Sequence, residues 1–161
     1  MKKIPLTRGK FALVDDIDYA YLMQWKWCYN CGYAVRSSRK SDGFDKQKTI
    51  RMHRIIMARK LGHNDFNEPD HVNTNKLDNR RSNLRPASDS QQNANKGPRG
   101  DSSKLKGVSW YKQTQKWQAQ IQVDGKSKHL GYFTDEIEAA RAYNKAAIQY
   151  FGEFAYSNSI K

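Results

Sequence analysis

PDHVNTNKLDNRRSNLRPASDSQQNANK, residues 69–96, is the stretch around which this chain is organised. It places a carboxylate beside an imidazole at Asp70-His71. A carboxamide follows twelve positions after the imidazole, at Asn83, and more carboxamides gather at Gln91, Gln92, Asn93 and Asn95. Asp and Asn offer hard oxygen atoms suited to Mg²⁺. A histidine that is neutral near pH 7 can take a proton from water. Residues of these types, spread over one hairpin and one short helix, can build a small hydrolytic metal site.

The whole run resembles the HNH nuclease family, in the subgroup common among phage homing endonucleases. His71 stands at the first letter of HNH and Asn83 at the middle one, and in this subgroup the third position is an Asn on the closing helix. The resemblance implies a β-hairpin followed by a helix, pinching one divalent metal ion. The hairpin arms fall at 69–73 and 84–87, with 74–82 as the loop, and Ser88 or Asp89 caps the helix. His71 is then the general base. Asp70 and a carboxamide of the helix hold Mg²⁺, or another divalent ion such as Mn²⁺. Asn83 belongs to the catalytic set by bracing the loop rather than by ligating metal. Counted from His71, the usual third ligand falls on Gln92, with Asn93 next to it. Neighbouring helical side chains point about 100° apart, so only one of them can serve. The shorter carboxamide holds a metal more rigidly, which favours Asn93. Arg80, Arg81 and Arg85 suit phosphate contacts because a guanidinium is a fixed two-pronged donor. His53, in Met52-His53-Arg54-Ile55, sits where the family carries a histidine ahead of the motif, and it reads as packed and hydrogen-bonded.

Charge supports a polyanionic partner. The 161 residues carry 29 Lys and Arg against 16 Asp and Glu, a net charge of +13, with a pI near 9.8. Such an excess more often accompanies nucleic acid than any other partner. Residues 1–10 have no apolar core of the kind a signal peptide needs. No apolar run approaches the roughly 18 residues of a membrane span. The expectation is a cytoplasmic protein with no membrane partner and no small-molecule cofactor. Cys28 and Cys31 form one C-x-x-C, and no second C-x-x-C or H-x-x-x-H completes a four-ligand zinc site. The pair reads as a turn around Asn30 between two aromatic strands.

Ahead of the motif, residues 4–7 and 11–14 read as short strands split by Arg8-Gly9. Acids at 15–18 open a short helix over 19–24, 25–39 is a hairpin, and 47–52 is a strand. Ile55, Ile56, Met57 and Leu61 form an apolar stripe. After Lys96 the composition turns to Gly, Pro and Ser, so 97–103 reads as a linker. It divides a nuclease domain, 1–96, from a second unit, 104–161.

In the second unit Trp117, Ala119, Ile121 and Val123 alternate with Gln118, Gln120 and Gln122, a period-2 strand. Asp124-Gly125 is a hairpin turn signal, leading into a strand at 127–132, and 107–111 supplies the first strand. Thr134 caps a helix whose apolar positions recur every three or four residues up to Gly152. Residues 104–131 hold six lysines and one acid, whereas 133–153 hold four acids and two bases. A helix on one side of the sheet would leave the other face basic and amide-rich, which suits nucleic acid.

Lys106-Gly107-Val108-Ser109-Trp110, Lys116 to Ile121, Leu130-Gly131-Tyr132-Phe133 and Ala139 to Tyr143 resemble an AP2 domain. That family lays its three-stranded sheet in the DNA major groove. The corresponding contact positions here are Lys106, Ser109, Tyr111, Lys116, Gln120, Gln122, Ser127 and His129. Plant members place mostly Arg and Trp at these positions.

Together the resemblances imply an α+β chain: an HNH, ββα-metal nuclease with a β-rich N-terminal extension, then a small AP2 domain of three antiparallel strands on one helix. The expected function is a monomeric, metal-dependent homing-type DNA endonuclease of a phage or mobile element in a bacterial host. It would hydrolyse phosphodiester bonds in double-stranded DNA to 5′-phosphate and 3′-hydroxyl ends. The other reading is a non-cleaving, HNH-derived DNA-binding regulator.

Overall fold

Local signals place the elements of the computed structural model, which describes residues 1–98 and 102–160. Arg99, Gly100 and Asp101, in the middle of the expected linker, lie outside the described residues. The chain divides into two compact units, Met1–Ala87 and Ser88–Lys161.

In the first unit β1 (Lys2–Pro5) pairs antiparallel with β2 (Phe11–Val14). Helix α1 (Asp16–Leu22) starts three residues before the position expected for it. Asp15 is its N-terminal flank, but its carboxylate does not cap the helix. Oδ2 instead accepts from the Arg81 backbone N–H at 2.7 Å. Asp16 and Asp18 in the first turn suit the positive end of the helix dipole. Strands β3 (Cys28–Asn30), β4 (Tyr33–Ser37) and β5 (Thr49–Arg51) form an antiparallel sheet in that order. Helix α2 (Met52–Leu61) follows and ends at Gly62, in the left-handed region. Its Met52, Ile56 and Met57 are fully buried with Ile4, Val14, Leu22 and Leu84. Truncating one of these side chains to Ala costs roughly 2–5 kcal/mol. This core backs the hairpin of β6 (Pro69–His71) and β7 (Leu84–Pro86), whose register is Asp70 opposite Arg85 and His71 opposite Leu84.

The second unit opens with α3 (Asp89–Asn95). Ser88 caps it by accepting from the Gln91 N–H, and Gln91 Oε1 accepts from Ser88 N at 2.8 Å, a reciprocal capping box. Strands β8 (Val108–Tyr111), β9 (Lys116–Val123) and β10 (Lys126–Phe133) form an antiparallel sheet with β9 central. Asp124 (φ 50°) and Gly125 (φ 77°) turn β9 into β10, the backbone a two-residue hairpin needs. Helix α4 (Glu136–Phe151) covers one side of this sheet through Ala139, Ala140, Tyr143 and Ala147. Its cap is Asp135 rather than Thr134: the Asp135 carboxylate accepts from Glu138 N at 3.1 Å. The α+β class and the three-strand, one-helix architecture stand as expected.

Candidate nuclease site and nucleic-acid face

Strand β6 carries Asp70 and His71 at the mouth of a loop that is almost wholly tied down. Asn83 is its central staple. Its Nδ2 donates to the Asp78 carbonyl at 2.7 Å and to Asn73 Oδ1 at 2.9 Å. Its Oδ1 accepts from Asn73 N at 3.0 Å. Asn73 in turn donates to Asp78 Oδ2 at 2.9 Å. Buried polar groups need partners, and Asn83, at 7% exposure, makes three such bonds.

His71 is buried, with its ring edge-on to His53 at 5.1 Å between centroids. Nε2 lies 3.1 Å from Asn79 Oδ1. A carboxamide oxygen only accepts, so Nε2 carries the proton and Nδ1 carries the lone pair. Burial, partly offset by the Asn79 hydrogen bond, pushes the His71 pKa down to about 4. The imidazole is therefore neutral at physiological pH. Asn79 is 1% exposed and was not singled out in the sequence. Only the N-terminal hairpin reveals its place: Leu13 N donates to the Leu77 carbonyl, and Asn79 N to the Leu13 carbonyl, each at 2.8 Å.

His53 is packed and hydrogen-bonded. Nε2 meets Glu68 Oε1 at 3.1 Å, and Arg51 and Arg54 reach the same carboxylate. Burial keeps His53 neutral, while the His53 hydrogen bond and the two guanidiniums hold Glu68 far below the usual carboxylate range.

Each of the three arginines has an intramolecular carboxylate. Arg80 grips Asp78 at 2.7 and 2.6 Å through Nε and Nη2. Arg81 grips Asp18 at 2.7 and 2.9 Å, and Arg59 joins the same carboxylate at 2.9 Å. Arg85 donates from Nε and Nη2 to Asp70 Oδ2 at 3.1 and 3.0 Å. Burial raises the Asp18 pKa, but hydrogen bonds from Arg81 and Arg59 outweigh it and the net direction is down.

On α3, Gln92 is half-buried and Asn93 exposed. Asn93 Oδ1 accepts from Lys96 Nζ at 2.6 Å. Among the described residues, no cluster of three or more His, Cys, Asp or Glu side chains could hold a metal ion. Cys28 and Cys31 are exposed free thiols.

Strand register in the second unit sorts the expected DNA contacts. Pairings of Ser109 with Gln118, Tyr111 with Lys116, Gln120 with His129 and Gln122 with Ser127 place these residues on one face. The opposite face carries the buried Val108, Ala119 and Ile121. Tyr132, opposite Gln118, joins the first face and was missed in the sequence. It stacks on Tyr111 at 5.3 Å and lies 4.5 Å from the His129 ring. Lys106 alone is drawn elsewhere, donating to the Asn93 carbonyl at 3.1 Å and to the Ala94 carbonyl. The face is also less basic than the lysine count suggests. Lys126 and Lys128 pair with Val123 and Ile121, on the helix side. Lys128 Nζ reaches the Tyr150 hydroxyl at 3.2 Å. Gly107 (φ +74°) admits no side chain, because a Cβ there would sit 2.0 Å from the Tyr143 ring.

A stapled hairpin with adjacent Asp and His, followed in sequence by a capped helix, defines an HNH-type nuclease unit, and the sheet that follows is of the AP2 type. The HNH endonuclease family model matches residues 51–94. An uncharacterized HNH endonuclease of Acanthamoeba polyphaga mimivirus is 31% identical over 158 residues, 95% of this chain and 77% of its own length. The chain belongs to the HNH endonuclease family. An AP2-like ethylene-responsive transcription factor of Arabidopsis thaliana is 38% identical over 77 residues, 48% of this chain. APETALA2-like protein 2 of rice, Oryza sativa, is 44% identical over 57 residues, 35% of this chain. The chain spans only 16% and 13% of the lengths of these two plant proteins. No solved structure matches. No helix among the described residues is long and apolar enough to cross a membrane.

Proposed function

We propose that this protein is a metal-dependent DNA endonuclease of the homing type, targeted by its AP2-like sheet. The observation that carries the reading is His71: buried, neutral and oriented through Asn79, next to Asp70 on β6. Nδ1 takes a proton from a water molecule, and the resulting hydroxide attacks phosphorus as the P–O3′ bond breaks. The departing O3′ takes a proton from solvent water, while His71 releases its own proton to solvent. The ends left are a 5′-phosphate and a 3′-hydroxyl. Asn83 keeps the loop closed around this histidine and makes no contact with the reacting atoms.

Asp70, Gln92 and Asn93 offer carboxylate and carboxamide oxygens, a donor set that fits Mg²⁺ or Mn²⁺. Asp70 with one of the two carboxamides would hold the ion. When bound, it supplies Lewis-acid stabilisation of charge on the phosphate and the departing oxygen. Asn93 Oδ1 also accepts from the exposed Lys96 Nζ, and a carboxamide oxygen keeps a second lone pair beside such a bond, so either carboxamide can serve. Arg80, Arg81 and Arg85 each commit Nε and Nη2 to a carboxylate. The carboxylate offsets the positive charge a phosphate would meet, so they act in positioning first.

Double-stranded DNA is the partner, and the net charge of +13 supports it. The viral relative supports a mobile-element setting, to which we add a monomer acting on DNA in the host cytoplasm. We assign 1–96 to the nuclease, 97–103 to the connection and 104–161 to the targeting module. The test is cleavage of supercoiled and genomic DNA by the full chain with Mg²⁺ or Mn²⁺, compared with His71→Ala. Removing a general base lowers the rate by roughly 10²–10⁴-fold, while DNA affinity stays unchanged. Tight binding with no cutting by the unaltered protein would favour the regulator instead.

A further inference from the structure

The open face of the β8–β10 sheet holds a chemistry that selects between bases. Its central strand carries Gln118, Gln120 and Gln122 at alternate positions on one side. No arginine occurs anywhere from Lys104 to Phe133. Within the strands, Lys116 is the one lysine whose register falls on this face, and it lies at the start of β9. In the major groove, Arg and Lys pair with the O6 and N7 of guanine, whereas Gln pairs bidentately with the N6 and N7 of adenine. The face therefore offers the adenine partner along its centre and the guanine partner only at one margin.

Gln118 is already held, with Nε2 3.1 Å from His129 Nδ1. Gln120 and Gln122 are exposed and only loosely engaged. Ser127 Oγ lies 3.5 Å from Gln120 Oε1, and Gln122 Nε2 lies 3.5 Å from the Gly125 carbonyl. Both bonds are at the outer limit of length, so either amide can turn to a ligand at little cost. Residues two apart on a strand are about 6.8 Å apart, about twice the 3.4 Å spacing of residues along one DNA strand. A strand running along the groove brings these two amides to every second base pair.

Resting on the proposed DNA-binding reading, we infer that this sheet recognises an A·T-containing major-groove site in which Gln120 and Gln122 each pair with an adenine, two base pairs apart. The neighbouring rings of Tyr111 and Tyr132 supply apolar surface for thymine methyl groups. Net charge of +13 on the chain provides the sequence-independent attraction to the duplex.

The experiment is selection from a randomised DNA duplex library by the full chain in EDTA, which prevents cutting. The expected motif contains two adenines separated by one base pair. Replacing either adenine by 7-deazaadenine, which lacks the N7 acceptor, should weaken binding roughly tenfold, on the scale of one good bidentate pair. This substitution leaves the protein untouched, so folding does not enter the result. Gln120→Arg should move the preference at one position from adenine to guanine. A motif dominated by G·C pairs, salt-dependent binding without any motif, or indifference to 7-deazaadenine would each overturn the inference while leaving DNA binding intact. Failure to retain any duplex would overturn the DNA-binding reading itself.

Discussion

Asp18→Asn is the substitution that most directly tests how the N-terminal segment supports the nuclease loop. Asp18 is fully buried and receives three hydrogen bonds, two from Arg81 and one from Arg59. Removing one partner of a buried ion pair costs about 3–5 kcal/mol. The Arg59 and Arg81 side chains are 32% and 27% exposed and can recover water, so the low end, about 3 kcal/mol, applies. With a urea slope of about 1–3 kcal/mol per molar, the midpoint should fall by about 1–3 M at pH 7. Urea unfolding followed by tryptophan fluorescence reads this directly. The pH dependence has a defined sign, because the folded pKa of Asp18 is lowered. Its stabilisation is complete above the unfolded value of about 3.9 and is lost as pH falls through the lower folded value. The gap between wild type and variant should thus be full at pH 7 and close only below about pH 4. A gap under about 0.5 kcal/mol at pH 7, the scale of an exposed pair, would refute the reasoning. So would a gap that persists unchanged into acid.

Asn79→Ala should slow cleavage by about 10–100-fold, the usual effect of removing a partner that orients an active-site histidine. Asn79→Asp, which keeps an acceptor for Nε2–H, should recover part of the rate, and single-turnover nicking with unchanged DNA affinity is the readout. Gln92→Ala and Asn93→Ala should differ in the Mg²⁺ or Mn²⁺ concentration needed for half-maximal cleavage. The larger shift identifies the ligand, because neighbouring helical side chains point about 100° apart, and two unshifted titrations would remove α3 from the metal site. Gly107→Ala should destabilise the sheet unit by at least about 2 kcal/mol through overpacking, since its Cβ would meet both Tyr143 and the Gln120 carbonyl. Thermal denaturation followed by near-UV circular dichroism measures this, and an unchanged midpoint would contradict the close approach.

Much of the fold was legible locally, and for physical reasons. Alternating apolar and amide residues define β9 because side chains on a strand alternate between faces. Asp124-Gly125 defines the turn because both positions require positive φ. Ser88 and Gln91 mark the start of α3 because their side chains satisfy its first N–H groups. Asp70, His71 and Asn83 stood out through their spacing along one hairpin. Caps separated by one residue were harder to place. Thr134 and Asp135 both can cap α4, and only the backbone geometry at Asp135 decides between them.

Sequence by itself determined the α+β class, the order of elements and the stretch holding the candidate chemistry, because these depend on contacts within a few residues. Tertiary structure alone decided the partners of the charged and buried polar groups. Asp18 and Arg81 are 63 positions apart, and nothing local links them. The same holds for the Leu13 contact that seats Asn79 behind His71, and for Lys106, whose ammonium goes to α3 carbonyls rather than to the open face of the sheet. A guanidinium reads the same in sequence whether it faces solvent or a carboxylate. Desolvation settles the difference, since a buried charge must find an opposite charge, and which one lies within reach is fixed only when the distant segments pack.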